Sequence, residues 1–270
     1  MKIAVMGAGG QVAKTLIEKF GGQIYAFSRT KFLPYSQFFE YDYDAIINCV
    51  GLSNPETIKN AGIQLFLVTE EYDNMALQYL KTHPKTKYIF ISSGVVHNKV
   101  DIDNLNLYQI SKVNAEAKHR SITDCSIIDI RLYSFFTRYA DINAKFFMSE
   151  LIKSIRGKTE FVTNSNVMIR DYINPKDLYS LINICIHKDF INDALDIYSL
   201  GTAEKFQIIS YFQEKYNLQL KVVDSINSFS SVKKNIYYAD ESLQKKSTNL
   251  GYIPKFTSMD TIKEESICLL

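Results

Sequence analysis

The chain carries no concentrated block of lysine and arginine. Lys plus Arg number 31 against 29 Asp plus Glu over 270 residues, a formal net charge of only +2. The electrostatic footprint of a nucleic-acid binder is therefore missing, and no nucleic-acid partner is expected. Long apolar runs are missing too: nothing approaches the roughly 20 apolar residues that span a bilayer. The apolar residues 3–5 give way at once to glycines and are too short for a signal-peptide core. The expectation is a cytoplasmic protein with no membrane partner. Cysteine is scarce and scattered, since Cys49, Cys125, Cys185 and Cys268 form no CxxC pair. That spacing suggests neither a zinc site nor a disulfide framework and leaves buried thiols as the expectation. Only two residues follow Cys268, where a prenylation box needs three. His83, His119 and His187 lack acidic or cysteine partners at metal-ligand spacing, so no bound metal is expected. No Gly/Ser linker, internal repeat or low-complexity tract divides the chain.

What is present is the composition of a folding chain, 46% hydrophobic and 22% charged. Short apolar runs (residues 2–6, 23–27, 45–50, 88–91, 126–130) alternate with amphipathic segments (11–20, 70–82, 108–120). Strands that are almost wholly apolar, separated by helical periodicity, predict a parallel sheet covered on both faces, a doubly wound α/β fold of Rossmann type. Beyond residue 131 the alternation loosens. We divide the chain into a dinucleotide-binding domain over 1–160 and a smaller C-terminal substrate-binding lobe over 161–270, interleaved with the end of the sheet.

Gly7-Ala8-Gly9-Gly10-Gln11-Val12-Ala13 follows the first strand and opens the first helix. A tight turn there lets backbone amides approach a pyrophosphate at the positive end of the helix, which makes Gly7, Gly9, Gly10, Gln11 and Val12 candidate cofactor contacts. The rival reading is a strand-to-helix turn that needs a glycine for geometry alone. An enzyme using NAD commonly places an acid after the second strand, but Ser28 and Arg29 stand there. A hydroxyl and a cation suit a 2′-phosphate, so NADP(H) is the expected cofactor and NAD(H) the alternative. The alternatives for Arg29 are stacking on adenine or a solvated surface position, readings the residues leave open.

Tyr108-Gln109-Ile110-Ser111-Lys112 places a phenol and an ammonium four apart, on one helix face. A neighbouring cation favours the phenolate and suits the phenol to acid–base work. The preceding strand ends in Ser92-Ser93-Gly94 at the carboxyl edge of the predicted sheet, where open α/β sheets bind ligands. Ser93 can then share a substrate oxygen with Tyr108; a helix cap or loop serine is the plainer alternative.

With these motifs the sequence resembles the extended short-chain dehydrogenases/reductases, a family of nucleotide-sugar epimerases, dehydratases and reductases. The likeness runs through the glycine turn, Asp44 to Asn48, Ser92-Ser93, Tyr108/Lys112, Ile130-Arg131-Leu132, Arg170-Asp171-Tyr172-Ile173 with Asp177, and Leu250-Gly251-Tyr252-Ile253-Pro254. It implies Tyr108 as acid/base, Lys112 as its partner and ribose ligand, Ser93 as the second hydroxyl and Asn48 among the cofactor contacts. Arg170 would contact the diphosphate of a nucleotide-sugar, or else pair with Asp171 or Asp177. His97 would line the substrate pocket or be an ordinary loop histidine, and Phe135, Phe136, Phe146 and Phe147 would stack on a base or serve the core. The family's dehydratases carry an Asp-Glu pair where this chain has Gly94 and Val95, which disfavours dehydration. The expected activity is NADPH-dependent reduction of a keto-deoxysugar, with an NAD-dependent epimerase as the alternative and a non-catalytic dinucleotide sensor as the third reading. The resemblance also implies a homodimer.

Overall fold

The computed structural model describes residues 1–52, 55–98, 106–223 and 235–270. Its first half runs β1 (Lys2–Met6), α1 (Gln11–Lys19), β2 (Gln23–Phe27), β3 (Ala45–Asn48), α2 (Pro55–Ala61), α3 (Gln64–Thr82), β4 (Lys87–Ser93), α4 (Leu107–Ser121) and β5 (Ile127–Leu132). The second half adds β6 (Ser134–Phe135), α5 (Phe147–Gly157), β7 (Phe161–Thr163), β8 (Met168–Arg170), β9 (Tyr172–Ile173), α6 (Pro175–Ile186) and β10 (Asp193–Asp196). It closes with β11 (Ala203–Glu204), α7 (Lys205–Tyr216), β12 (Leu220–Val222), β13 (Asn235–Tyr237), α8 (Glu241–Asn249) and α9 (Ser258–Ser266). Short 3₁₀ turns cover Tyr35–Glu40 and Gly94–His97.

Six strands form one sheet in the order β10-β5-β4-β3-β1-β2, every pair parallel. This is the doubly wound arrangement expected from the apolar runs. The order reverses at β1, and the crevice outside the carboxyl ends of β1 and β3 is where such sheets hold ligands. Between β2 and β3 the chain makes only a 3₁₀ turn, so β2 is an edge strand. Leu33 folds back to bridge Phe27, taking Ala26 O through its amide and offering its carbonyl to Ser28, which occupies part of that edge.

Alternation along β1 shows why both sheet faces are apolar. Ile3 and Val5 face α1 and α6, packing with Leu16, Leu178, Leu181, Ile182 and Cys185. Ala4 and Met6 face the other way, with Ile46, Phe90, Tyr72 and Tyr79. Each fully buried side chain of this size contributes on the order of 1.5–3 kcal/mol. The chain beyond β6 feeds two places: α6 and β10 return to the sheet, while α5, α7, β7, β12 and α9 enclose a third apolar core around Leu151, Phe161, Ile208, Phe212 and Ile262. The four cysteines are free; Cys125 and Cys185 are buried, whereas Cys49 is half-buried and Cys268 is exposed, against the expectation of four buried thiols. Among the described residues no helix is long and apolar enough to cross a membrane.

Candidate active site

One cavity of about 670 Å³ opens at the switch point and extends into the C-terminal lobe, a size within the range of small-molecule sites. Gly9, Gly10, Gln11 and Val12 line one end of it, beside Cys49 to Leu52 from the β3 exit. Gly7 stands behind this turn. Its φ is +76°, and a side-chain carbon there would lie 3.0 Å from the Cys49 and Val50 backbone, so only glycine lets the two loops meet. Its amide donates to Tyr35 Oη at 2.8 Å, so Gly7 shapes the turn and offers no free donor. Helix α1 begins from Gly10 with no side-chain cap and no acid in its first turn, leaving its positive end for an anion. Gln11 Oε1 is a buried acceptor with no partner among the described residues. An unpaired buried acceptor beside a bare helix N-terminus fits a dinucleotide, whose hydroxyls and phosphates supply both complements.

Helix α4 brings the phenol and the ammonium to the same cavity. Asn106 Oδ1 caps it, accepting from the amides of Tyr108 at 3.1 Å and Gln109 at 3.3 Å. The buried stripe that follows is polar where such stripes are ordinarily apolar: Lys112, Glu116 and His119, four and three residues apart. Each has its partners. Lys112 Nζ donates to Ile91 O at 2.9 Å and lies 4.3 Å above the Phe90 ring and 6.0 Å from the Tyr108 centroid. Burial, partly offset by Asp73 and Asp129, brings this ammonium down to about 8. Glu116 accepts from Ser92 Oγ at 2.6 Å and pairs with Arg131 at 2.6 Å. His119, with no exposed surface, bonds Asp129 at 2.6 Å and Asp73 at 2.8 Å. Burial pulls its pKa down, but the two carboxylates prevail and hold it up at about 9.

Ser92 and Ser93 point to opposite sides of β4, as strand alternation requires. Ser93 Oγ meets Tyr237 Oη at 2.8 Å and accepts the Val95 amide at 3.4 Å, thereby also capping the 3₁₀ turn. It faces Tyr108 as well: burial raises the Tyr108 phenol and the hydrogen bond with Ser93 works against that rise. Tyr108, Lys112 and Ser93 thus converge on one cavity wall. Arg170, from β8, lines the same cavity. Its guanidinium donates to the Asn235 carbonyl at 2.7 Å and to Asn235 Oδ1 at 2.7 Å. It does not pair with Asp171 or Asp177, because Asp171 accepts from Ser199 and Ser258, and Asp177 from the amides of Lys255 and Phe256. Burial without a carboxylate partner lowers its pKa. Phe135, Phe136, Phe146 and Phe147 also line the cavity, with Phe136 buried in the lobe core.

Four expected contact residues stand away from the cavity wall. Asn48 has no exposed surface; it donates to Tyr88 Oη and accepts the Val50 amide, both at 2.9 Å, so it shapes the β3 exit and has no group left for a cofactor. Ser28 Oγ accepts from the amides of Thr30, Lys31 and Phe32 at 3.1–3.3 Å, fixing its own loop, while exposed Arg29 makes no ion pair among the described residues. Neither lines the cavity. His97 stands outside the cavity too, held by Asp196 at 2.7 Å and adjoining Arg131. In the other direction, sequence reasoning missed Tyr237, which lies 144 residues from Ser93 and carries no motif, and Tyr133, whose hydroxyl donates to Asp196 at 2.7 Å.

No family model and no curated protein matches the chain. Solved structures do. A UDP-glucuronic acid 4-epimerase from Bacillus cereus, in complex with UDP-glucuronic acid and NAD, is 17% identical with TM-score 0.77, over 100% of this chain and 99% of that one. A UDP-glucose 4-epimerase from Thermotoga maritima, with UDP-glucose, is 13% identical with TM-score 0.80, over 99% and 98%. A dTDP-glucose 4,6-dehydratase from Bacillus anthracis in complex with NAD is 13% identical with TM-score 0.75, over 99% of this chain and 96% of that one. The chain shares the fold of these proteins.

Proposed function

We propose that the chain is a nicotinamide-dinucleotide-dependent oxidoreductase of the extended short-chain type acting on a nucleotide-linked sugar, with Tyr108 moving the proton. The observation that carries this reading is the meeting of Tyr108, Ser93 and Lys112 in a cavity that also presents Arg170, a cation with no carboxylate partner among the described residues. At neutral pH the half-buried Tyr108 is a phenol, a proton donor. The Lys112 ammonium, 6.0 Å from its ring centroid, favours the phenolate once the proton has left. Ser93 shares the substrate oxygen with Tyr108, and Arg170 offers a planar fork to a diphosphate. A bound nicotinamide supplies hydride acceptance and donation. Gln11 and the bare N-terminus of α1 would hold its diphosphate end, and Lys112 its ribose.

Within this class the reading we favour is a 4-epimerase type that retains NAD, because two of the similar structures named above are in complex with NAD and two of the three are 4-epimerases. The NADPH-dependent reductase keeps one point in its favour, Arg29, without an ion-pair partner among the described residues, where an acid would otherwise stand. Dehydration loses further ground, since the Tyr133 ring fills the space beside Gly94. The test is to assay the purified chain for bound nucleotide, then supply UDP-glucose or UDP-glucuronic acid with and without NADPH. Epimerised product without added cofactor supports the epimerase, and NADPH consumption with a keto-sugar moves the assignment to the reductase. Absence of binding to either dinucleotide, or undiminished turnover in Tyr108→Phe, overturns the proposal.

A further inference from the structure

Tyr237 places a second phenol on the Ser93 hydroxyl. Its Oη lies 2.8 Å from Ser93 Oγ, its ring packs on Tyr133 at 5.0 Å between centroids, and it lines the cavity with Tyr108. The arrangement of protons on that serine follows from counting donors. A serine oxygen has two acceptor positions and one proton. The Val95 amide takes one acceptor position at 3.4 Å. If Tyr237 takes the other, the Ser93 proton is left to point into the cavity, toward Tyr108 and, once bound, the substrate oxygen the two share.

We propose that Tyr237 is a positioning residue for the Ser93–Tyr108 pair: its phenol donates to Ser93 Oγ and so turns the Ser93 proton toward Tyr108. The chain Tyr237 O–H to Ser93 O–H to Tyr108 O is directional, and a donor aimed at Tyr108 stabilises its phenolate over its phenol. Burial pushes the Tyr237 phenol up to about 12, against the opposing pull of Ser93, so the phenol keeps a proton to donate throughout the working range. The strand that carries it is fixed from the same cavity: Arg170 grips the Asn235 carbonyl and side chain at the start of β13, two residues before Tyr237. Nothing in the glycine turn or the Tyr-xxx-Lys spacing contains this third hydroxyl. The inference rests on the proposed role of Tyr108 as proton carrier.

The test reads Tyr108 directly and needs no substrate. Tyr108 is replaced site-specifically by 3-fluorotyrosine, whose phenol is more acidic, and its ionisation midpoint is followed in the full chain by ¹⁹F NMR. Adding Tyr237→Phe, which keeps the ring against Tyr133, is expected to raise the midpoint by about one pH unit, a tenfold loss of phenolate at a given pH. In a Ser93→Ala background the same change should move the midpoint no further, because the intermediary is gone. An unchanged midpoint, or an equal rise with and without Ser93, overturns the proposal; the second result marks a structural role for Tyr237. Failure of the oxidoreductase reading shows instead as absent nucleotide binding, which this titration does not touch.

Discussion

A side-chain carbon at Gly94 would stand 2.2 Å from Cε1 of Tyr133. The ring cannot easily yield, because the Tyr133 hydroxyl donates to Asp196 and its face packs on Tyr237. Gly94→Ala should therefore cost about 1–3 kcal/mol, as overpacking does, and Gly94→Asp should cost more while conferring no dehydration. Thermal melts decide the first point; an unaltered melting temperature in Gly94→Ala would mean that the ring swings aside.

Lys112 is stable only at a cost. Its folded pKa of about 8 lies below the ordinary 10.5 of a lysine, so between those limits the unfolded chain binds a proton that the folded chain lacks, and stability from this group rises with pH. Below pH 8 the buried ammonium costs about 3 kcal/mol. Lys112→Met is accordingly expected to be more stable than the parent chain at pH 7 while turnover falls at least about 100-fold. Urea melts at pH 7 and 10 check this, the advantage of the variant shrinking at the higher pH.

His119 works with the opposite sign. Its folded pKa of about 9 exceeds the ordinary 6.5, so its contribution is complete below pH 6.5 and lost as pH rises to 9, on the order of 3 kcal/mol in all. His119→Gln should lower stability at pH 6 and flatten the decline between pH 6.5 and 9. A decline of the same steepness in the variant would assign it to other groups.

Arg170→Gln should weaken UDP binding roughly 30-fold, about 2 kcal/mol for a charge-assisted pair, and leave dinucleotide affinity unchanged. Calorimetric titration with UDP and NAD separates the two. Equal losses for both ligands would indicate that releasing Asn235 disturbs the whole cavity.

The sheet and much of its wall were legible because their signals are local. Apolar pentads set β1 and β2, the glycine turn fixed the start of α1, and Tyr108 and Lys112 sit four apart on one helix. Side-chain direction was not legible. Asn48 and Ser28 occupy the expected chain positions, yet their polar groups turn inward to backbone amides, a choice made by unsatisfied donors in loops whose paths a sequence does not display. His97 was drawn away by Asp196, nearly a hundred residues downstream. Tyr237 reaches Ser93 only because β13 pairs with β8, a short parallel contact with no periodic signature.

The sheet is finished late. Its outermost strand, β10, pairs with β5 across about sixty residues of intervening chain, and it delivers Asp196, the acceptor for Tyr133, His97 and Arg131. During synthesis β5 therefore waits as an open edge until the lobe segments between them have emerged. Such an edge invites pairing with other chains, and closing so long a loop is slow. Refolding yield should thus depend on protein concentration more than the stability of the finished molecule would suggest.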